Sequence, residues 1–490
     1  LTPPTNYLNN KNFFQSTLYD HGFTGNNLGL IFNYLFGFYT IGAINFIKLI
    51  LIFTIKIFLI LISKQITEYL NYEIFLKKIF FIIFTFALIS LPTYYDLSSY
   101  FSARSALYLF FILLLGSALC ENKYKEFKYF IIGSLSLASL LWWFDIGFYI
   151  NFLLFLLSIY LVLYSEKKNL FFLLLGIFFS WIIFLFVSPP DEISAFIYNL
   201  KFILLTSDYL IGVEYLKPFS SNSGRWTKAL FIIYISTIVL INLNFSKKIN
   251  LNKNLKIFLN LIFISGIVIF KSALTRSDSY HIRYTAGLYT LVFIFIILYF
   301  IFFYVKKNKI FLKFLNKLKI TYKKKFTLIF LITISLLFFS GIFNKKDKVS
   351  FMEKIINLSN SKTNIKRFIE TGDNHYLKKE DLLVYEKYKK LSKNDACVQF
   401  FSDNNSFPYF LKKPTCTKFY LSNQIIRGVS EKEFISELKQ SLPNIILMKA
   451  PYKILLNYDN FPNAIKYVKN KYEFYENYKG YVFYIRKNIN

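Results

Sequence analysis

Side chains that hold metals are scarce in this chain. Its 490 residues include three histidines and three cysteines, and they are scattered, with no pair at the spacing of a zinc site. Glycine (17) and proline (11) are also few, which excludes collagen-like sequence and low-complexity linkers. No solenoid-type repeat is present. Acidic residues number 28 against 59 basic ones, a formal charge of +31. Such a balance can mark nucleic-acid binding. Here the excess is almost all lysine and travels with Asn, Ile, Phe and Tyr, which share A/T-rich codons. Base bias accounts for it, and no nucleic-acid partner is inferred. The opening residues do not read as a cleavable signal peptide. They run polar from Leu1 to Lys11, and the expectation is a signal-anchor span upstream.

What is abundant is apolar. The chain is 55% hydrophobic, with a mean hydropathy of +0.40, the composition of an integral membrane protein. About ten windows are long and apolar enough to span a bilayer. They fall at 40–63, 79–95, 103–120, 129–143, 146–164, 170–188, 229–245, 257–275, 286–305 and 326–344. The sequence thus predicts an α-helical polytopic membrane bundle, about ten spans visible and about eleven in the intact protein, with a C-terminal extracytoplasmic α/β domain. Residues 1–39 are the first outer loop, 40–344 the transmembrane domain and 345–490 the outer domain. Residues 129–164 must hold two spans and a turn, so the first of these is expected to be short, tilted or re-entrant.

Orientation follows from the lysines. Loops 64–78, 121–128, 165–169, 246–256 and 306–325 collect lysine and contain no arginine, which places them in the cytoplasm. The intervening loops and everything after about residue 345 then lie outside. The four arginines of the membrane part (Arg104, Arg225, Arg276, Arg283) all fall on that outer side, where topology rules least expect them. Arginine presents a flat fork of donors matched to phosphate and carboxylate, whereas lysine is a solvated point charge. The distribution reads as an anion site at the outer face.

Three outer segments carry candidate chemistry. The first is Leu18-Tyr19-Asp20-His21-Gly22, in which Asp20 is a candidate general base toward an acceptor hydroxyl; the alternative is a helix cap or a solvated loop aspartate. The second runs from Arg276 to Arg283 and includes Asp278 and His281, with Lys271 in the span before it. Lys271, Arg276 and Arg283 can together hold a phosphate, helped by Arg104 or Arg225. Alternatively, Asp278 pairs with one of the arginines and pins the loop. Asp96 and His21 are supporting candidates. The third is the long outer loop 189–228, and Trp142-Trp143-Phe144-Asp145 reads as an interfacial belt. Lys48 lies deep in the first span, and basic groups there face a cavity or a partner.

The C-terminal region shows capping boxes at Ser350-x-x-Glu353 and Ser430-x-x-Glu433. Val398–Ser402, Lys418–Leu421 and Asn444–Met448 read as strands, and Tyr472–Glu476 and Tyr481–Arg486 flank a hairpin turn. Cys397 and Cys416 form a candidate disulfide if the region is extracytoplasmic. Cys120 reads as a free thiol.

The plan resembles the GT-C class of membrane glycosyltransferases. Tyr19-Asp20-His21-Gly22, followed by Leu28–Gly37, is similar to the first outer loop of bacterial members. Ala273–His281 is similar to a late Arg-x-Asp-x-x-His loop of uncharacterised relatives. The chain departs from many members in showing one acid, Asp20, where they carry a pair. The resemblance implies a bacterial inner-membrane enzyme. It would take a polyprenyl-phosphate-linked sugar and pass it to a glycan, lipid or protein acceptor on the periplasmic face. It implies no resident cofactor and leaves a divalent cation open. An O-antigen ligase or polymerase, resting on His281 and Arg276, is the second enzymatic reading, and a lipid or glycan transporter the third.

Overall fold

The computed structural model describes residues 2–19, 22, 27–36, 40–91, 101–121, 123–211, 224–246, 251–274, 279–307, 371–402, 406–449 and 458–487. The first part is helical: α1 (Thr2–Asn10), α2 (Leu28–Phe36), α3 (Ile41–Glu68), α4 (Ile74–Ser90), α5 (Phe101–Cys120), α6 (Lys125–Trp142) and α7 (Phe144–Leu163). It continues with α8 (Lys167–Val187), α9 (Pro190–Ile211), α10 (Gly224–Phe245), α11 (Lys253–Leu274), α12 (Ser279–Thr285) and α13 (Gly287–Lys307).

Among the described residues seven helices are long and apolar enough to cross a membrane: α3, α5, α7, α8, α10, α11 and α13. The chain is a multi-pass membrane protein. Two further expected windows, 79–95 and 129–143, fall on α4 and α6. With 17 residues, α4 is about 25 Å long at ~1.5 Å per residue, short of a hydrocarbon core of about 30 Å. Helix α6 opens on Lys125, Glu126 and Lys128, so its apolar stretch is shorter than its length. The window 326–344 lies outside the described residues.

The expected outer loop 189–228 is corrected. Its first half is α9, started by Pro190 with Asp191 and Glu192 in the first turn, which suits the positive end of a helix. Its buried residues Glu192, Phe196, Asn199, Phe202, Ile203 and Thr206 recur at helical spacing and form one inward face.

The lysine-rich ends of the helices meet one another. Lys125 pairs with Glu166 at 2.9 Å and Lys168 with Glu126 at 2.8 Å, joining loop 121–128 to loop 165–169. The Lys253 ammonium lies 4.9 Å from the Tyr164 ring centre. Deeper in the bundle, α6 and α8 cross at glycines. A Cβ on Gly133 would stand 2.1 Å from the Leu173 carbonyl oxygen, and one on Gly176 would stand 2.1 Å from that of Phe130. Only glycine permits backbones this close, the means by which membrane helices associate without a hydrophobic drive.

The C-terminal region holds α14 (Lys379–Leu391), β1 (Gln399–Phe401), α15 (Phe407–Leu411), α16 (Glu431–Ser441), β2 (Ile445–Lys449), α17 (Pro462–Lys471), β3 (Tyr472–Tyr478) and β4 (Tyr481–Arg486). The sheet order is β1-β2-β4-β3. Strands β1 and β2 are parallel, with Phe400 opposite Leu447. They therefore require a crossover, which α15 and α16 lie on. The hairpin β3–β4 turns at Lys479 and Gly480, both at positive φ (53° and 79°), as a two-residue turn of matching twist demands.

Two local expectations fail here. Lys418–Leu421 is not a strand, because its backbone groups are engaged elsewhere. The Lys418 N–H donates to Glu437, its carbonyl accepts from Leu18, and the Leu421 N–H donates to Gln424. Ser430 does precede α16, but its hydroxyl donates to the Gln424 carbonyl and accepts from the Ile426 N–H. Glu433 points to Lys418 and Tyr198 rather than back to the cap. Ser350 and Glu353 lie outside the described residues.

Cys397 and Cys416 are disulfide-bonded, with Cα atoms 4.9 Å apart. The bond lies beside the paired segments Val398 and Thr415. A disulfide in this region is consistent with an extracytoplasmic location. Cys120 is a free thiol.

The C-terminal region is not tethered loosely. One apolar cluster runs from Leu137, Leu140 and Phe144 of the bundle, through Phe14, Leu18 and Tyr19 and Phe196 of α9, to Phe401, Phe434 and Ile446 of the C-terminal region. The N-terminal segment is the filling between bundle and sheet.

Candidate functional site

The segment that carries Asp20 is held on both sides. On its N-terminal side, α9 supplies the anchors. Glu192 accepts the backbone N–H groups of Phe13 (3.2 Å) and Phe14 (2.8 Å), and the Asn199 side-chain oxygen accepts the N–H of Tyr19 at 2.7 Å. The C-terminal region adds two more bonds: the Leu18 N–H donates to the Lys418 carbonyl at 2.9 Å, and Gln424 donates to the Leu18 carbonyl at 2.7 Å. Tyr19 is fully buried, and its hydroxyl accepts from Asn27 at 2.9 Å. Burial pushes this phenol well above its ordinary pKa, so it stays a neutral hydroxyl.

On the C-terminal side stands Gly22, at φ 137°. A Cβ there would lie 2.7 Å from the Trp143 Cα and 2.9 Å from the Trp142 carbonyl oxygen. Gly22 therefore combines a backbone conformation that other residues rarely adopt with an approach that no side chain allows. Asp20 and His21 themselves lie outside the described residues.

The surface Gly22 rests on is the corner between α6 and α7, where Trp143 separates the two helices. Two bonds tie this corner to the start of α5. The Trp142 indole N–H donates to the Ala103 carbonyl at 2.8 Å, and Arg104 Nη2 donates to Asp145 Oδ2 at 2.5 Å. Arg104 is 5% exposed. Its guanidinium is engaged by a carboxylate, the arrangement that makes a buried arginine tolerable.

Arg283 sits on α12, which packs among α10, α11 and α13. It is half-buried, donates to the Tyr284 hydroxyl, and places its guanidinium carbon 4.7 Å from the Tyr284 ring centre. In the helices around α12, Trp226, Phe270 and Tyr289 form an aromatic chain with ring centres 5.1 and 5.5 Å apart. Lys271 is exposed in the last turn of α11. Arg225 belongs to α10 and His281 to α12, but their side chains lie outside the described residues, as do Arg276, Asp278 and Asp96 altogether.

The C-terminal region also clasps the bundle directly. Asp373 accepts the N–H of Ile41, at the start of α3, at 2.8 Å, and accepts from the Tyr409 hydroxyl. A carboxylate is favourable at that helix end. At a second contact, the Tyr198 hydroxyl of α9 donates to Glu433 at 2.5 Å. Lys418 pairs with Glu433 at 2.5 Å and lies 4.1 Å from the Tyr198 ring centre. Glu437 closes the cluster, and burial raises its carboxyl above the ordinary value.

Sequence reasoning passed over Asp145, Glu192, Asn199 and Asp373 as functional positions. For Glu192 and Asn199 a signal existed: the seven-residue spacing on one face of a segment opened by proline. For Asp145 it was a lone acid in a Trp-Trp-Phe corner facing a lone arginine. Asp373 had none, since its partner lies over 300 positions away.

Fold and contacts define a polytopic membrane protein whose N-terminal segment is clamped between the helix bundle and a disulfide-bonded α/β region. Compared with protein-family models and with curated proteins, the chain matches none.

Proposed function

We propose that the protein is a membrane glycosyltransferase working on the outer face of a bacterial inner membrane. It takes a sugar from a polyprenyl-phosphate donor and gives it to an acceptor hydroxyl. The observation that carries this reading is the clamping of the Asp20 segment between Tyr19 and Gly22, beside the Arg104–Asp145 corner. A catalytic base gains most from a fixed position, because the cost of orienting it is met before substrate arrives.

In the proposed reaction the Asp20 carboxylate takes the acceptor O–H proton. The acceptor oxygen bonds to the anomeric carbon as that carbon's bond to the phosphate oxygen breaks. Arg276 and Arg283, with Lys271 and Arg225, take up the charge on the departing polyprenyl phosphate. Arg104, engaged by Asp145, serves this scheme by holding the corner on which Gly22 rests.

The test is turnover of the full chain in lipid nanodiscs with a polyprenyl-phosphate sugar. Asp20→Asn should abolish transfer while leaving expression and thermal unfolding unchanged; undiminished transfer removes Asp20 from the mechanism. One observation favours the ligase or polymerase reading as runner-up: His281 and Arg283 share the seven-residue helix α12. Loss of activity in His281→Ala but not in Asp20→Asn would select it.

A further inference from the structure

A cleft of about 590 Å³ opens where α1, the turn Asp373–Tyr376 and α15 meet. Its size is that of a small-molecule site, and meeting points of separate elements are where such sites occur. The chemistry of the walls narrows the occupant. The amide of Asn374 donates and accepts, as does that of Asn9, one of whose N–H groups is held by the Thr5 carbonyl at 2.8 Å. Tyr409 and Phe410 stand edge to face, with ring centres 5.1 Å apart at 83°, so the two ring faces are turned in different directions. Among the described residues Lys412 is the one cation of the lining. Asp373 also lines the cleft, and its two oxygens accept from the Ile41 N–H and the Tyr409 hydroxyl.

These facts bear on the class of ligand. Among the described residues the lining offers one carboxylate, already bonded, where a divalent cation takes several oxygens, and one lysine, where a nucleotide or another polyanion takes more charge. The amides and the exposure of Asn9, Asn374 and Lys412 suit no lipid tail. A hydroxyl-rich ring suits these walls. Its C–H face can lie on an aromatic ring, its hydroxyls can bond to amides, and Lys412 can accept one acidic substituent.

We propose that this cleft is a glycan-binding site of the outer region, separate from the Asp20 segment. The inference rests on the transferase reading only in making a glycan the natural occupant of this face. Because Tyr409 also bonds the carboxylate that caps α3, an occupied cleft bears on the start of a membrane helix.

The experiment is saturation-transfer NMR on the full chain in nanodiscs, with maltotriose, chitotriose and trigalacturonate as probes. Two variants carry the test. Asn374→Ala removes an exposed amide. Lys412→Asn removes the cation and suits the left-handed backbone at this position, φ 54°. Transfer to at least one trisaccharide is expected, weakened at least about fivefold in each variant that faces it, as befits a lost hydrogen bond or charge contact. No transfer to any probe, or transfer unchanged in both variants, overturns the proposal. The readout requires no turnover, so it separates from the transferase test. Asp20→Asn leaves cleft binding intact, and a chain without transferase activity can still bind.

Discussion

Replacing Asp145 with Asn keeps its shape but withdraws the charge that faces Arg104. Breaking a fully buried ion pair costs about 3–5 kcal/mol, because it strands the remaining charge. Arg104 is nearly enclosed (6% side-chain exposure), whereas Asp145 is one-third exposed at 33%. Solvent screening therefore brings the expected loss to about 2 kcal/mol. The assay is unfolding of Asp145→Asn, Arg104→Gln and the double variant in mixed micelles, followed by tryptophan fluorescence. Trp142 reports on the corner directly, since its indole is bonded to Ala103. A coupling energy of about 1.5–2 kcal/mol is expected from the cycle. Additive effects, with coupling below about 0.5 kcal/mol, would refute the reasoning. The cycle also separates roles. If Arg104→Gln stops turnover and Asp145→Asn does not, Arg104 contacts a ligand rather than propping the corner.

Three further outcomes follow from the packing. Cys397→Ser with Cys416→Ser opens a loop of sequence separation 19 and should cost the outer region about 3 kcal/mol, seen as earlier proteolysis and a lost melting shift on reduction. Gly133→Ala drives a methyl group into the Leu173 carbonyl and should cost at least about 1–3 kcal/mol, read as lower folded yield in membranes. The Glu437 carboxyl is raised in the folded state by burial, so its contribution to stability is complete at low pH and is lost as pH rises through the raised value. Glu437→Gln should therefore stabilise the outer region at pH 8, and the advantage should shrink as pH falls below the raised value. An advantage that grows on acidification contradicts the assignment.

The membrane character was legible from hydropathy, since a span must bury every backbone group in a helix of known minimum length. The alternation of lysine-rich loops puts 121–128 and 165–169 at one end of the bundle, and the ion pairs at Glu166 and Glu126 join those two loops. The strands at Asn444–Met448 and Tyr481–Arg486 were readable because a short apolar run and turn chemistry are local signals. Lys418–Leu421 misled because β-prone residues can be drawn off the ladder by distant partners, here Leu18 and Glu437. The α9 helix was hidden by its charged start, which resembles a loop until the spacing of Glu192, Phe196 and Asn199 is laid on a helical face. The clasp at Asp373 was illegible in principle, because nothing local records which backbone a surface aspartate will meet. Asp20 was singled out as the lone acid ahead of the first span and by the resemblance of its segment to a known outer loop; its neighbours Tyr19 and Gly22, which carry the positioning argument, act through backbone contacts that sequence does not display.

The central claim is that outer-face arginines hold a lipid phosphate. The most direct test is titration of polyprenyl phosphate into the full chain in nanodiscs, comparing the unaltered protein with Arg276→Gln and Arg283→Gln, and with Arg283→Lys as a charge-preserving control. Each Gln substitution should weaken binding about tenfold or more, the worth of a charge-assisted contact, with the control intermediate. Equal affinity in all four proteins would contradict the account.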